Sequence, residues 1–431
     1  MRLKTVACLV VAVLNTVAMA QTPSQLSSSV VGRDSALVDW PQFQFDAAHT
    51  GYNPYEVILS PQTVGNLVLA WQTHGGYDNI PSSPSVANGV LYYGTGDNGY
   101  LLALDAQTGT GLWSAILNPT MVGTPAVAYG NVYVNSSSGQ SGIIHALNAV
   151  TGGPWWNASD GGAPSDVAVT DGVVYVASVF DSIHPYEGLY ALDTNTGQFL
   201  WQNVGVDEQA PSSGDVPTVA NNSVYVACGL GLCAFDAATG MMQWHYSPPE
   251  GTHFSVPSVS NGVLYVGAFL DLDDGDFIAL NLYALDAATG TLLWQVPLKP
   301  TLGPRQEYVV VTAPAVANNI VYIGGGSTNI SVFGEMYAID AITGAHLWQY
   351  HTTAPVTSPA VANGVVYFGT QDGTAYALDA DNGTPLWKYS IGSAVRRSAF
   401  GFSSPIVVNG MLYIGSTEWM GRIYAFHLPN Q

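Results

Sequence analysis

Five cations in an otherwise acidic chain are the first residues whose type and placement suggest chemistry. Lys299, Arg305, Lys388, Arg396 and Arg397 read as lying in the long connections "QVPLKPTLGPRQEYVVVT" and "KYSIGSAVRRSAFGFSS". A guanidinium pairs bidentately with a carboxylate, so Arg305, Arg396 and Arg397 are candidates to hold an anionic ligand. The alternative is that they neutralise neighbouring Asp and Glu. "DLDDGD" gathers Asp271, Asp273, Asp274 and Asp276 around a glycine. It resembles part of a calcium loop but lacks the distal bidentate Glu, and its flanks read as strands. A Ca²⁺ site and a solvated acidic loop tip both fit. His74, His253 and His351 read into the same class of loop, and no metal-ligand spacing links them. "GTGDNG", from Gly94 to Gly99, matches G-x-G-x-x-G but reads between two strands instead of at a helix start, which argues against a nucleotide site. No HExxH or GxSxG occurs. Cys228 and Cys233, in "VACGLGLCAF", face each other across an expected Gly hairpin; a disulfide or two small buried thiols fit equally.

The elements that must position these residues come from a repeat. The pattern A-x-D-x-x-T-G-x-x-x-W ends at Trp113, Trp201, Trp244, Trp294 and Trp348. Two more copies end at Trp156 and Trp387, with Asn148 in place of Asp and Asn382 in place of Thr. Upstream of each lies a second phrase such as "SPAVANGVVYFGT", and an eighth such phrase, "SPIVVNGMLYIGS", precedes a chain end without Trp. The missing strand is "NLVLAW" at the other end of the sequence, ending at Trp71. Period-two alternation and Asn-Gly turns mark four short strands per unit. The expectation is all-β: an eight-bladed β-propeller of four-stranded antiparallel blades, its ring closed by an N-terminal strand that completes the C-terminal blade. In each repeat the Asp is expected to accept backbone N–H bonds in the T-G turn. The Trp is expected to wedge between blades; full burial of an indole removes roughly 150–250 Å² from water, an upper bound of ~4–6 kcal/mol. Residues that recur eight times are architecture, because catalysis needs a unique constellation.

Residues 1–20, "MRLKTVACLVVAVLNTVAMA", have the plan of a cleaved secretory signal with an A-x-A site. Residues 21–39 then read as a flexible segment, and 40–431 as one propeller domain. Cys8 lies too early for a lipid anchor, and no later apolar run is long enough to span a bilayer. Without the leader, 9 − 2 = 7 basic residues face 30 acidic ones, a balance of −23. Such a surface repels phosphate backbones and anionic headgroups, which makes nucleic acid and membrane surfaces poor partners. The expectation is an exported monomer, periplasmic or extracellular.

The A-x-D-x-x-T-G-x-x-x-W phrase resembles the tryptophan-docking motif of the PQQ-like repeat family, which includes quinoprotein alcohol dehydrogenases and the BamB-type outer-membrane assembly proteins. The resemblance makes Trp71, Trp113, Trp156, Trp201, Trp244, Trp294, Trp348 and Trp387 docking residues. "DWPQFQFDAAHTGYNPYEVILSPQTVGNLVLAW" is similar to the segment that opens a quinoprotein dehydrogenase propeller, at Trp40, Asp46, Thr50, Tyr52, Pro54, Val64, Leu67 and Trp71. The family's adjacent-cysteine pair is absent, as is a CxxCH haem site. Two functions follow from the resemblance. One is a BamB-like ligand- or protein-binding scaffold whose partner meets the face carrying the long loops. The other is a PQQ- and Ca²⁺-dependent dehydrogenase. In that case Arg305, Arg396 and Arg397 would hold the cofactor, with base and metal ligands among Asp207, Glu208, Asp215 and Glu307.

Overall fold

The computed structural model describes residues 37–73, 82–96, 98–117, 121–138, 141–159, 162–179, 188–204, 216–229, 231–271, 278–298, 309–327, 333–391, 403–416 and 421–429. Eight sheets form a β-propeller, numbered here as blades 1 to 8 in chain order from Ser85. Blade 1 runs outward through strands Ser85–Ala87, Val90–Gly94, Tyr100–Asp105 and Gly111–Ile116. Blade 8 comprises Ile406–Val408, Met411–Gly415 and Ile423–His427, and its outermost strand is the N-terminal Val68–Gln72. The last blade is thus completed from the chain's other end, as expected. The helical element among the described residues is one 3₁₀ turn, Val64–Asn66.

The repeat's chemistry is visible at the blade seams. The alanine of each motif pairs in register with its own tryptophan, as Ala103 does with Trp113. Each indole Nε1 then donates to a backbone carbonyl of the next blade, as Trp113 does to Ala149 at 3.0 Å and Trp244 to Ala287 at 3.0 Å. In seven blades a buried tyrosine of the same blade donates to that same carbonyl, as Tyr92 does to Ala149 and Tyr225 to Ala287, whereas the Tyr367 hydroxyl of blade 7 has no partner. Two donors on one acceptor make the blade-to-blade bond directional as well as apolar. The indoles themselves are half-buried, so full burial overstates their contribution. They sit on outermost strands, where one ring face packs and the other meets solvent.

The T-G glycine is explained by the neighbouring blade. Gly290 has φ +70°, and a Cβ there would lie 2.6 Å from Trp244 Cε3. Gly290→Ala is therefore expected to cost at least ~1–2 kcal/mol from the backbone alone, with the displaced indole adding to it. Urea unfolding measures this; a variant as stable as wild type would show that the turn and the ring shift together without strain.

What no repeat announces is the path of residues 38–59. This segment runs around the inner ends of the blades and bonds the central residue of each innermost strand. Trp40 exchanges two 2.8 Å bonds with Val86, and Pro41 O accepts from Val127 N. Gln42 Oε1 accepts from Val169 N. Ala47, Ala48, Thr50 and Gly51 carbonyls accept from Val219, Val259, Val316 and Val361. Asn53 Nδ2 completes the circuit at Val407 O, 2.8 Å. The turns demand positive φ at Gln44, Phe45 and His49, values that non-glycine residues rarely adopt. Asp46 ties the return by accepting from Thr50 N and Oγ1. Val38 and Glu56 reach the innermost hairpin of blade 8, at Asn409 and Gly410. The segment therefore lines the inner wall of the ring close to the short Asn-Gly hairpins.

Candidate functional site: the long-loop face

The Asn-Gly and T-G turns alternate with longer connections, so the two kinds lie at opposite ends of the strands. With residues 38–59 bonded along the hairpin end, the long-loop end is the functional candidate. Chemistry there must come from positions that break the repeat. One such position lies three residues before each motif alanine, at the long-loop end of the third strand. Reading around the ring, it holds Tyr100, Ile143, Gly188, Gly231, Asn281, Glu335, Thr374 and Arg422. Acid and base occur there once each.

Glu335 belongs to strand Phe333–Asp340 and is 1% exposed. The Tyr337 hydroxyl donates to its Oε2. Its Oε1 lies 3.6 Å from Nδ1 of His351, its register partner on the outer strand His346–Thr352. The distance is an ion-pair separation, longer than a hydrogen bond. Phe333 stacks on the His351 ring at 6.5 Å and 13°. Burial, then the bond to Glu335, push the Tyr337 hydroxyl far above the usual phenol range, so it stays a donor. Gly325 faces Glu335 across the sheet, in a triple glycine that presents no side chain. A buried carboxylate beside a half-exposed imidazole can accept a proton or hold a cation. Arg422, on blade 8, is half-buried, and its Nε is buried without a partner.

A second break lies between blades 2 and 3. In six blades a Ser or Thr ahead of the innermost strand accepts the N–H found 12 residues on, as Ser82 does from Gly94 and Thr312 from Gly324. Blade 2 has Gly123 at that position. A Cβ there would collide with Asn135 Oδ1 and Asp166 Oδ1. Asp166, in "APSDVAVTDG", occupies the column held by Ser83 in blade 1 and Thr124 in blade 2, and accepts from Thr124 N at 2.9 Å. The resulting pocket, about 210 Å³, is walled by Ser82, Met121, Asn135, Ser137 and Asp166. Asp166 is partly exposed by area, yet burial of its carboxyl raises the pKa against the Thr124 bonds, which lower it. Asn135 Oδ1 has no partner. Nearby, Ser136, His145 and Asn157 form a hydrogen-bonded relay at 2.7 and 2.9 Å. Ser136 is fully buried, so no substrate reaches it as a nucleophile.

Among the residues singled out from sequence, Cys228 and Cys233 close a disulfide across blade 4, both fully buried, with Cα atoms 5.9 Å apart. Lys388 is not in a loop. It is exposed on the outer strand Pro385–Ser390, pointing to solvent, because its segment continues the period-two strand after Trp387. His253 lies in strand Thr252–Phe254, stacked on Phe269 at 4.8 Å, and His351 in the outer strand already described. These connections extend as strands because they pair with a long neighbouring strand, Val263–Asp271 in the case of His253. Asp271 ends that strand. Asp273, Asp274, Asp276, Lys299, Arg305, Arg396, Arg397, Asp207, Glu208, Asp215, Glu307 and His74 lie outside the described residues, as do residues 1–36. Gly94 ends a strand and Tyr100 begins the next, so "GTGDNG" is a hairpin connection. Glu335, Arg422 and Asp166 were missed by sequence reasoning. Aligning the repeats column by column would have marked all three.

Residues 62–165, 137–272 and 279–430 match the family described as outer membrane protein assembly factor BamB. The chain is 33% identical over 177 residues to the dehydrogenase subunit of the quinone alcohol dehydrogenase of Gluconobacter oxydans (strain 621H), across 38% of this chain and 20% of that protein. It spans about a fifth of the length of the curated relatives it matches. Among solved structures, the quinohemoprotein alcohol dehydrogenase from Comamonas testosteroni superposes with a TM-score of 0.66 at 17% identity, over 91% of this chain and 81% of that one. BamB from Moraxella catarrhalis superposes at 0.59 and 17% identity, over 85% and 98%. At these identities the superpositions speak for the fold alone.

Proposed function

Because the chain belongs to the family of outer membrane protein assembly factor BamB, we propose that it is an exported binding and scaffold module of the cell envelope whose ligand or protein partner meets the long-loop face. The carrying observation is the circuit of residues 38–59, which bonds all eight innermost strands close to their Asn-Gly hairpins. A propeller stiffened at one end offers its other end as a rigid, one-sided platform. The acidic balance directs that platform away from nucleic acid and anionic lipid. No described helix is long and apolar enough to cross a membrane.

A PQQ- and Ca²⁺-dependent dehydrogenase is the second reading, favoured by the 33% identity to a quinone alcohol dehydrogenase subunit. The described residues fit such a cofactor in part. Glu335 offers a buried carboxylate for a cation or a substrate proton, and Arg422 a half-buried guanidinium for a cofactor carboxylate. When bound, the quinone would supply the electron sink for alcohol oxidation.

A titration with PQQ, with and without Ca²⁺, separates the two by quinone absorbance and melting temperature. The scaffold reading expects no saturable binding. It also expects a photocrosslinker at His351, on the platform side, to capture envelope protein, and one at Val150, in an exposed T-G turn, to capture none. Saturable PQQ binding with a calcium-dependent rise in melting temperature would replace the scaffold with the dehydrogenase.

A further inference from the structure

We propose that blade 4 carries a soft-metal site, formed by Cys228, Cys233 and His245 whenever the two cysteines are thiols. Their ligand atoms lie within 4.8 Å of one another. The arrangement is built from three adjacent strands: Cys228 ends Ser223–Cys228, Cys233 lies in Gly231–Asp236, and His245 in Met242–Tyr246. Cys233 and His245 are direct register partners, and Cys228 faces Gly231. Two residues connect the cysteine strands, so opening the disulfide leaves both thiols at the tip of one short hairpin. Both cysteines are fully buried.

The histidine is poised for ligation. Its Nε2 is buried and has no hydrogen-bond partner, an arrangement that ordinarily carries a desolvation penalty. A Cβ on Gly231 would sit 2.5 Å from that nitrogen. The ring therefore lies over the residue that faces Cys228, in space kept open by the glycine. Ser247 Oγ lies 3.3 Å from Nδ1; accepting from Nδ1–H, it leaves the Nε2 lone pair for a metal. Outer partners of this kind orient ligating imidazoles generally.

Two thiolates and an imidazole select Zn²⁺ or Cu⁺ over hard cations. Tetrahedral bonds of about 2.3 Å to sulfur and 2.0 Å to nitrogen set S···S near 3.8 Å, a separation the sulfurs would reach by parting once the disulfide is reduced. Binding a divalent ion breaks two S–H bonds, forms two S–metal bonds and one N–metal bond, and releases two protons to solvent. The fourth position is left for water or another small ligand. Disulfide closure instead passes two electrons and two protons to a thiol oxidant and removes both thiolates. Metal and disulfide are thus alternative cross-links of one hairpin, chosen by whether the ion or the oxidant arrives first.

The test uses the mature chain, produced in a reducing cytosol and purified anaerobically with a phosphine reductant, and Co²⁺ as the probe. The dithiol protein should bind one Co²⁺ per chain, with near-ultraviolet thiolate-to-cobalt absorption that excess Zn²⁺ abolishes. The disulfide form should show none. His245→Ala should weaken binding at least ~10-fold, as loss of a metal's support typically does. Cys228→Ala/Cys233→Ala, which keeps small apolar side chains in place, should abolish the band while retaining the native near-ultraviolet dichroism. Should the dithiol form lose that dichroism without metal, its recovery on adding Co²⁺ becomes the readout. The site is refuted by absence of a thiolate band at excess Co²⁺, or by His245→Ala binding as tightly as wild type.

Discussion

Trp40→Ala is expected to lower the unfolding free energy by about 3–5 kcal/mol, the range for truncating a buried tryptophan. Trp40 is 1% exposed and packs edge-on against Phe45 at 5.2 Å. It belongs to the largest apolar cluster, which joins Val86 and Leu91 of blade 1 to Val407, Leu412 and Phe426 of blade 8. Its ring therefore lies at the closure seam, where the first and last blades depend on the N-terminal segment. Its two backbone bonds to Val86 survive truncation, so the loss comes from packing and the cavity left behind. Leu112→Ala, at a side chain 52% exposed on an outer strand, is the control and should stay within ~0.5 kcal/mol. Urea midpoints at unchanged slope measure both. A loss below ~1 kcal/mol for Trp40→Ala would mean that the segment decorates the ring without helping to close it.

The second large effect is a pH dependence seated at His49. The imidazole is 1% exposed, and burial lowers its pKa from 6.5 to about 3. Thr218 Oγ1 donates its proton to Pro257 O, so the 2.8 Å contact with His49 Nδ1 requires Nδ1–H as donor and leaves Nε2 bare. Above pH 6.5 the ring is neutral folded and unfolded, and contributes no pH dependence. Between 6.5 and about 3 the unfolded chain takes up a proton that the folded chain refuses. Stability then falls with pH by about 1.4 kcal/mol per unit, or about 2 kcal/mol at pH 5. Asp46, whose pKa burial raises, acts in the opposite sense: the folded form takes its proton first. The comparison with His49→Gln cancels that shared contribution, and Gln retains an N–H for Thr218. From pH 8 to pH 5 the variant should lose about 2 kcal/mol less than wild type. Parallel losses in the two proteins would remove His49 as the acid-sensitive group.

Much of the ring was legible because its determinants are local. Asp105, Thr108 and Gly109 specify a turn within five residues: Asp105 Oδ1 accepts from Thr108 N and Oγ1, and Gly109 takes φ +70°. The functional face was legible only as a class of loop. Reading Lys388 into a loop failed because its outer strand continues past Trp387, and reading His253 into one failed because a connection becomes a strand when a neighbouring strand is long enough to pair with it, a length not written in the connection itself. Glu335 passed unnoticed because its partners Tyr337 and His351 acquire meaning only once strand register is known.

By itself the sequence determined the number of blades, the terminal strand exchange between Val68–Gln72 and Ile423–His427, and the residues that dock each blade to the next. Each follows from periodicity, turn chemistry and a repeated Trp, all of which act over short spans of chain. Only the tertiary structure decided that residues 38–59 circle the inner wall, that Asp166 and Asn135 open a pocket beside Gly123, and that His245 sits over the Cys228–Cys233 hairpin. Those arrangements depend on which side chains meet across blades or strands. In a closed ring, that is fixed by register and curvature and not by any single stretch of sequence.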